Sequence, residues 1–152
     1  MDRKPHLMVV DAPYYQEISK ELRKGVLEVL AEAGASHEIV EVPGVLEIPA
    51  AISFVVSAGK AQSRAIDGFI VIGCVIRGET THYDIVANES ARAIMDLAIN
   101  HQLAIGNGIQ TVENEDQAWA RGTVDDKNKG GAAARAALAM IELRQKLHAA
   151  NV

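Results

Sequence analysis

Apolar runs and amphipathic stretches alternate along the chain. Residues 69–72, and 7–10 within a first strand predicted over 6–11, are continuously apolar, which is typical of parallel strands buried on both faces. Residues 38–42 alternate and predict a second strand, and 103–105 predict a short fourth strand ending in Gly-Asn-Gly. Because helical stretches separate the strands, the pattern predicts an α/β fold with a four-stranded parallel sheet covered on both faces.

Five helices are predicted, the first and third of them from apolar positions that recur three or four residues apart. Gly34 follows the first, as glycine often does after a last helical turn. Pro49 stands where only the first turn of a helix tolerates proline. Asn114, with Gln117 three residues later, predicts a capped helix start. The predicted bounds are 18–33, 49 to about 59, about four turns from 82, 115 to about 121, and 130 to about 147, with polar links over 60–64 and 123–129.

The stretch from residue 73 to 84 joins the third strand to the third helix through a glycine-rich turn. Thr81 and Asp84 indicate the helix start, with the hydroxyl and carboxylate accepting first-turn N–H groups. Free N–H groups and the positive end of the helix dipole favour a phosphate at such a junction. His82 would lie beside that anion. A first-turn histidine by itself is usually just solvated, but this setting predicts a site that holds a phosphate and moves a proton.

Other polar and aromatic residues follow the predicted strands, and parallel sheets bind ligands beyond the carboxyl ends of their strands. Tyr14 suits either core packing or a stacking platform. Glu47 suits either a helix N-terminus or an acceptor for a polyhydroxy chain. Arg121, near a helix end where cations are favoured anyway, is a candidate phosphate ligand. We therefore expect Tyr14, residues 43–47, residues 74–82 and Asn107 at one rim of the sheet.

Composition narrows the classes of function. The 152 residues are 49% apolar and 23% charged, which fits one globular domain. A net charge of −5 with scattered Lys and Arg argues against nucleic-acid binding, and we expect neither a membrane span nor a secretory leader. The single cysteine, Cys74, is predicted to be a buried hydrophobe and fits a reducing cytoplasm. The five histidines never pair at ligand spacing, so no metal site is expected.

The stretch 73–84, which reads Gly-x-Val-Ile-Arg-Gly-x-Thr-x-His-Tyr-Asp, closely resembles the signature of the 6,7-dimethyl-8-ribityllumazine synthase family of riboflavin synthesis. The resemblance implies a flavodoxin-like three-layer αβα sandwich. It implies condensation of 5-amino-6-ribitylaminouracil with 3,4-dihydroxy-2-butanone 4-phosphate to 6,7-dimethyl-8-ribityllumazine, releasing phosphate and water without a cofactor. It extends from residue 7 to about 147, with further blocks at 42–49, 88–89, 111–114, 117–118 and 128–130.

Position by position, the resemblance implies that Tyr14 stacks on the pyrimidine of the aminouracil and that His82 transfers protons. The other aminouracil contacts that it implies are Val45, Leu46, Glu47, Cys74, Val75, Ile76 and Asn107. For the butanone phosphate it implies Glu79, Thr80 and Arg121, with Lys129 close by.

Three residues depart from the family pattern. Pro13 replaces a common arginine, Asn107 a frequent phenylalanine and Cys74 the usual threonine. The first two leave open a protein that stores or senses a lumazine or flavin, although the retained His82, Arg121 and phosphate turn favour the enzyme. A flavodoxin-type electron carrier is a further alternative, against which stands the lack of an obvious aromatic pair to sandwich a flavin.

The resemblance also implies pentamers in which Asn107, Arg121 and Lys129 serve the neighbouring subunit's pocket. Small residues over 132–139 suit close helix packing. Some family members build hollow shells from twelve pentamers. The short segment before the first strand, and Asp125 and Asp126 where pentamers would meet, instead predict a free pentamer of about 82 kDa from 16.3 kDa chains.

Overall fold

A computed structural model describes residues 3–59 and 65–150, and the predicted link over 60–64 lies outside these described residues. The strands are β1 (His6–Ala12), β2 (Ser36–Glu41), β3 (Gly68–Ile76) and β4 (Ile105–Val112). The helices are α1 (Gln16–Glu32), α2 (Ile48–Ser57), α3 (His82–Asn100), α4 (Glu115–Gly122) and α5 (Lys129–Ala150), and a 3-10 helix, Val45–Glu47, precedes α2.

The four strands form one parallel sheet in the order β2-β1-β3-β4. The connection that follows β1 leads to β2 on one side of it, whereas the connection that follows β2 leads to β3 on the other side. The gap between β1 and β3 is therefore a topological switch point. The register pairs Asp11 with Glu41 and Ala12 with Gly73, so β1, β2 and β3 send their following loops to the same edge. The predicted flavodoxin-like parallel sheet is confirmed.

Two apolar cores cover the two faces of the sheet, which makes the three layers. Side chains of β1 alternate between them because successive residues of a strand point to opposite faces. Leu7 and Val9 lie in the core beneath α1 and α5, whereas Met8 and Val10 lie in the core beneath α2 and α3. Since both faces are covered, every residue of β1 is buried, which explains its continuous apolar run.

The prediction for the fourth strand was wrong, since β4 begins at Ile105 and runs through the Gly-Asn-Gly sequence to Val112. Gly106 does not form a turn. A Cβ added there would lie 1.8 Å from the carbonyl oxygen of Ala133 in α5, so glycine lets the helix backbone approach the strand. The alanines of α5 serve the same close packing, and Ala133, Ala134 and Ala137 are buried.

Two helix boundaries were predicted by their caps and are confirmed. Gly34 has a φ of 69° and its N–H donates to the carbonyl of Ala31. The side chain of Asn114 accepts from the N–H of Gln117 at 2.9 Å, and the Gln117 side chain accepts from the N–H of Glu113 at 2.8 Å. The third helix is longer than predicted, at 19 residues. No helix within the described ranges has the length and apolar character that a membrane crossing requires.

Candidate active site

A cavity of about 460 Å³ opens at the carboxyl edge of the sheet, beside the switch point. Three parts of the chain line it: the loop after β1, the segment between β2 and α2, and the end of β3 with the turn and first helical turn that follow. Its lining residues are Tyr14, Tyr15, Pro43, Gly44, Val45, Leu46, Glu47, Cys74, Val75, Ile76, Gly78, Thr80, His82, Tyr83 and Val86. The predicted convergence of an aromatic residue, a carboxylate and an imidazole at one rim is observed.

The turn over residues 78–81 carries the start of α3 into this cavity. Within the described residues, the N–H groups of this turn donate no hydrogen bond, so they remain available to an anion. The predicted cap was assigned to the wrong hydroxyl. Thr81 occupies the cap position, but its side chain makes no cap bond, and the N–H of His82 donates instead to Oγ1 of Thr80 at 3.3 Å.

Arg77, which the sequence did not single out as a site residue, holds this turn from its other side. Its Nε donates to the Glu113 carboxylate at 2.8 Å, directly after β4. Its guanidinium stacks 4.1 Å above the ring of Tyr83 and donates to Asp84 at 3.5 Å. Asp84 therefore faces Arg77 and does not accept the first-turn N–H groups as predicted. The hydrogen bond to Glu113 contributes most to raising the pKa of Arg77.

Tyr14 stands at the rim with 74% of its surface exposed, which excludes the core-packing alternative and leaves a free aromatic face in this chain. Tyr15, which the sequence did not identify, lines the cavity and packs edge-to-face on Tyr14 with ring centroids 5.0 Å apart. Burial, followed by the proximity of Cys74, Tyr14 and Glu115, raises the pKa of Tyr15. The Tyr15 hydroxyl is thus a donor at neutral pH.

The floor of the cavity is built by the 3-10 helix and the end of β3. Val45 is buried, and its side chain would lie 2.9 Å from a Cβ at Gly73, so that glycine lets the two segments meet. Leu46 is exposed, while Cys74 is buried. Burial raises the pKa of the Cys74 thiol to about 11, so it stays protonated at neutral pH. Among the described residues, no group of three His, Cys, Asp or Glu is arranged to hold a metal ion.

Four residues of the predicted site do not line this cavity. Glu79 lies on the exposed turn. Asn107 is paired with Val71 along the sheet, so its predicted place at a strand end was wrong, and its side chain accepts from the N–H of Ile109 at 2.9 Å. Arg121 lies near the end of α4 and donates to the carbonyl of Gln117 at 3.2 Å, and Lys129 begins α5. No Lys or Arg is among the described lining residues.

The parallel sheet with helices on both faces makes this a flavodoxin-like α/β protein. Its cavity lies at the switch-point edge beside a helix N-terminus, where proteins of this class bind small molecules. A sequence model of the family described as 6,7-dimethyl-8-ribityllumazine synthase matches residues 4–145. The chain belongs to this family, which confirms the resemblance seen in the sequence.

Relatives share about half of their residues with this chain over nearly full length. The chain is 55% identical over 144 residues to the 6,7-dimethyl-8-ribityllumazine synthase of Agrobacterium fabrum, covering 95% of this chain and 97% of that protein. It is 54% identical over 146 residues to the protein of the same name from Bartonella tribocorum, with 96% and 94% covered. The 6,7-dimethyl-8-ribityllumazine synthase 1 of Rhizobium meliloti is 54% identical over 144 residues, with 95% and 94% covered.

Proposed function

We propose that this cavity is the active site of a transferase that condenses 5-amino-6-ribitylaminouracil with 3,4-dihydroxy-2-butanone 4-phosphate to 6,7-dimethyl-8-ribityllumazine. Membership of the family supports the reaction. The observation that carries the site assignment is the convergence of Tyr14, Glu47 and His82, from three separate parts of the chain, on one cavity beside a turn with free N–H groups.

The aminouracil is proposed to lie against the loops after β1 and β2. The exposed ring of Tyr14 offers a stacking face for the pyrimidine. Glu47, in the 3-10 helix, offers carboxylate oxygens to the ribityl hydroxyls. The backbone of Cys74, Val75 and Ile76 would bind the polar edge of the ring, a role for which a cysteine in place of threonine makes little difference.

The butanone phosphate is proposed to bind at the turn over residues 78–81, where its phosphate meets N–H groups and the positive end of the α3 dipole. His82, the first residue of α3, then stands beside both substrates and moves protons as the imine forms, phosphate leaves and the ring closes. The amine of the aminouracil is itself the nucleophile, so the protein contributes mainly by holding the two substrates together.

The cationic partner of the phosphate is proposed to come from a neighbouring subunit. The described lining residues include no Lys or Arg, whereas Arg121 and Lys129 lie on α4 and α5, outside the cavity. Exposed large apolar residues on α2 and α3, among them Phe54, Met95 and Ile99, suit burial between copies of the chain. We propose a homopentamer in which Asn107, Arg121 and Lys129 complete the next subunit's site, and we place it in the cytoplasm because its one cysteine needs no oxidising compartment.

The proposed function is tested by incubating the protein with both substrates and following lumazine absorbance together with released phosphate. We expect the two products to appear in equal amounts and faster than in the same mixture without the protein. Tight binding of lumazine without any acceleration would contradict the enzyme and would instead indicate the storage or sensor protein that Pro13 and Asn107 leave open.

A further inference from the structure

A buried carboxylate lies at the carboxyl end of β1 and takes no part in the reaction described above. Asp11 has 0% of its surface exposed. Its oxygens accept from Oγ of Ser19 at 2.8 and 2.9 Å and from Nε of Arg23 at 3.1 Å, both in α1. Burying a charge so completely is strongly unfavourable unless it is paired and hydrogen-bonded. Here Arg23 supplies the pairing and both Ser19 and Arg23 supply hydrogen bonds.

The same arginine reaches the neighbouring strand. Nη2 of Arg23 donates to Asp11 and also to Oε2 of Glu41, the latter at 2.7 Å. Glu41 is the last residue of β2 and is the register partner of Asp11. One guanidinium therefore joins the carboxyl ends of two adjacent strands. We call Asp11, Arg23 and Glu41 the strand-end clamp.

The two strands joined by this clamp continue directly into two walls of the cavity. β1 leads into the loop with Tyr14 and Tyr15, and β2 leads into the segment over residues 43–47. The N–H of Val42 donates to the carbonyl of Asp11 at 2.9 Å, so the residue directly before the segment 43–47 is hydrogen-bonded to the clamp. On the other side, the N–H of Ser19 donates to the carbonyl of Tyr15 at 2.9 Å.

The turn proposed for the phosphate is held by different residues. Arg77 directly after β3, Glu113 directly after β4 and Tyr83 in α3 fix it. None of them contacts the clamp through a hydrogen bond or ion pair among the described residues. A disturbance of the clamp should therefore move the two walls on one side of the cavity relative to each other while the phosphate turn stays in place.

We propose that Asp11, Arg23 and Glu41 are positioning residues that set the separation of the two loops that hold the aminouracil, and thereby its affinity. This inference rests on the proposed function of the cavity. The clamp residues do not line the cavity themselves, so they act only through the loops that they hold.

The test compares Arg23→Met and Glu41→Gln with Arg3→Met in the full chain. Arg3 is a matched control because it forms a bidentate pair with Asp67, at 2.7 and 3.1 Å, at the opposite edge of the sheet. The Michaelis constants for both substrates, kcat and the thermal midpoint are measured for each variant. Arg23→Lys is the conservative variant, because lysine keeps the positive charge but lacks the planar guanidinium with its several N–H donors.

We expect Arg23→Met to raise the Michaelis constant for the aminouracil about tenfold and that for the butanone phosphate less than about twofold. Glu41→Gln should act in the same direction by a smaller factor, and Arg23→Lys should restore part of the loss. Arg3→Met should lower the thermal midpoint and leave both constants unchanged, which separates positioning from stability.

An unchanged constant for the aminouracil in folded Arg23→Met, or an equal rise in both constants, would overturn the clamp as a positioning device. Should Arg23→Met not fold, Glu41→Gln decides alone, because it leaves the buried pair of Asp11 with Arg23 in place. Absence of turnover in the unmodified protein would instead overturn the proposed function, and this inference with it.

Discussion

At the scale of single residues, the cavity is lined by two groups that keep their protons at neutral pH and by one imidazole. Burial raises the pKa of Cys74 to about 11 and raises that of Tyr15, so neither changes its protonation near pH 7. His82 is the only histidine among the described lining residues, and histidine is the commonest proton-transfer residue, so we propose it for the proton transfers.

Replacing His82 with glutamine should lower kcat by about 10²–10⁴-fold and change both Michaelis constants little, because a proton shuttle is lost but the binding groups remain. A measurable rate should persist, since the amine of the aminouracil is a nucleophile without help. Steady-state assays check this, with His101→Gln, at the exposed far end of α3, as the control that keeps full activity. Unchanged turnover in His82→Gln would remove this residue from the mechanism.

At the scale of secondary structure elements, the contact between β4 and α5 is set by backbone approaching backbone. Gly106 in β4 faces the carbonyl of Ala133, and the buried alanines of α5 continue the contact. A packed interior tolerates added volume poorly, and here the obstructing atom is a main-chain oxygen that cannot rotate away.

Gly106→Ala should therefore destabilise the protein by at least about 1–3 kcal/mol, because α5 must move away from the sheet to admit the new methyl group. Thermal unfolding measured against the unmodified protein checks this. Gly59→Ala is the control, since a Cβ at Gly59 would meet no atom of the described residues within 4 Å. A midpoint for Gly106→Ala equal to that of the control would show that the helix shifts at no cost.

At the scale of the whole molecule, the proposed site lacks a cation among the described lining residues of one chain. The described lining residues supply an aromatic face, a carboxylate and an imidazole but no cation, and the phosphate of the second substrate carries up to two negative charges. The exposed apolar residues of α2 and α3 are a surface suited to burial against a second copy, and our proposal is that such a copy supplies the missing cation from its α4 and α5.

Native mass spectrometry should detect a species of about 82 kDa, five copies of the 16.3 kDa chain. Arg121→Ala should raise the Michaelis constant for the butanone phosphate more than that for the aminouracil, because a charge-assisted contact is lost.

Mixed assemblies test the shared site directly. Pentamers reassembled from equal amounts of His82→Gln and Arg121→Ala subunits should regain intact sites at about one interface in four, since random neighbours combine the two unmodified residues with that frequency. A fully active monomer, or mixed pentamers that regain no activity, would contradict a site built across subunits.

The sequence by itself determined the features that depend on near neighbours along the chain. Continuous apolar runs in β1 and β3 predicted buried parallel strands, and the caps at Gly34 and Asn114 predicted helix ends. The signature around His82 identified the family. Periodicity and capping are local properties, because they rest on contacts between residues a few positions apart.

Only the tertiary structure decided the features that depend on residues far apart in sequence. Gly106 was wrongly predicted to end a strand. Its contact with Ala133 is created by the packing of α5 on the sheet, so the sequence does not show it. Arg77 and Glu113, 36 residues apart, meet only because β3 and β4 are adjacent, and Asp11 and Glu41 meet at neighbouring strand ends for the same reason. Strand order and helix packing bring these groups together, and local sequence patterns predict neither of the two.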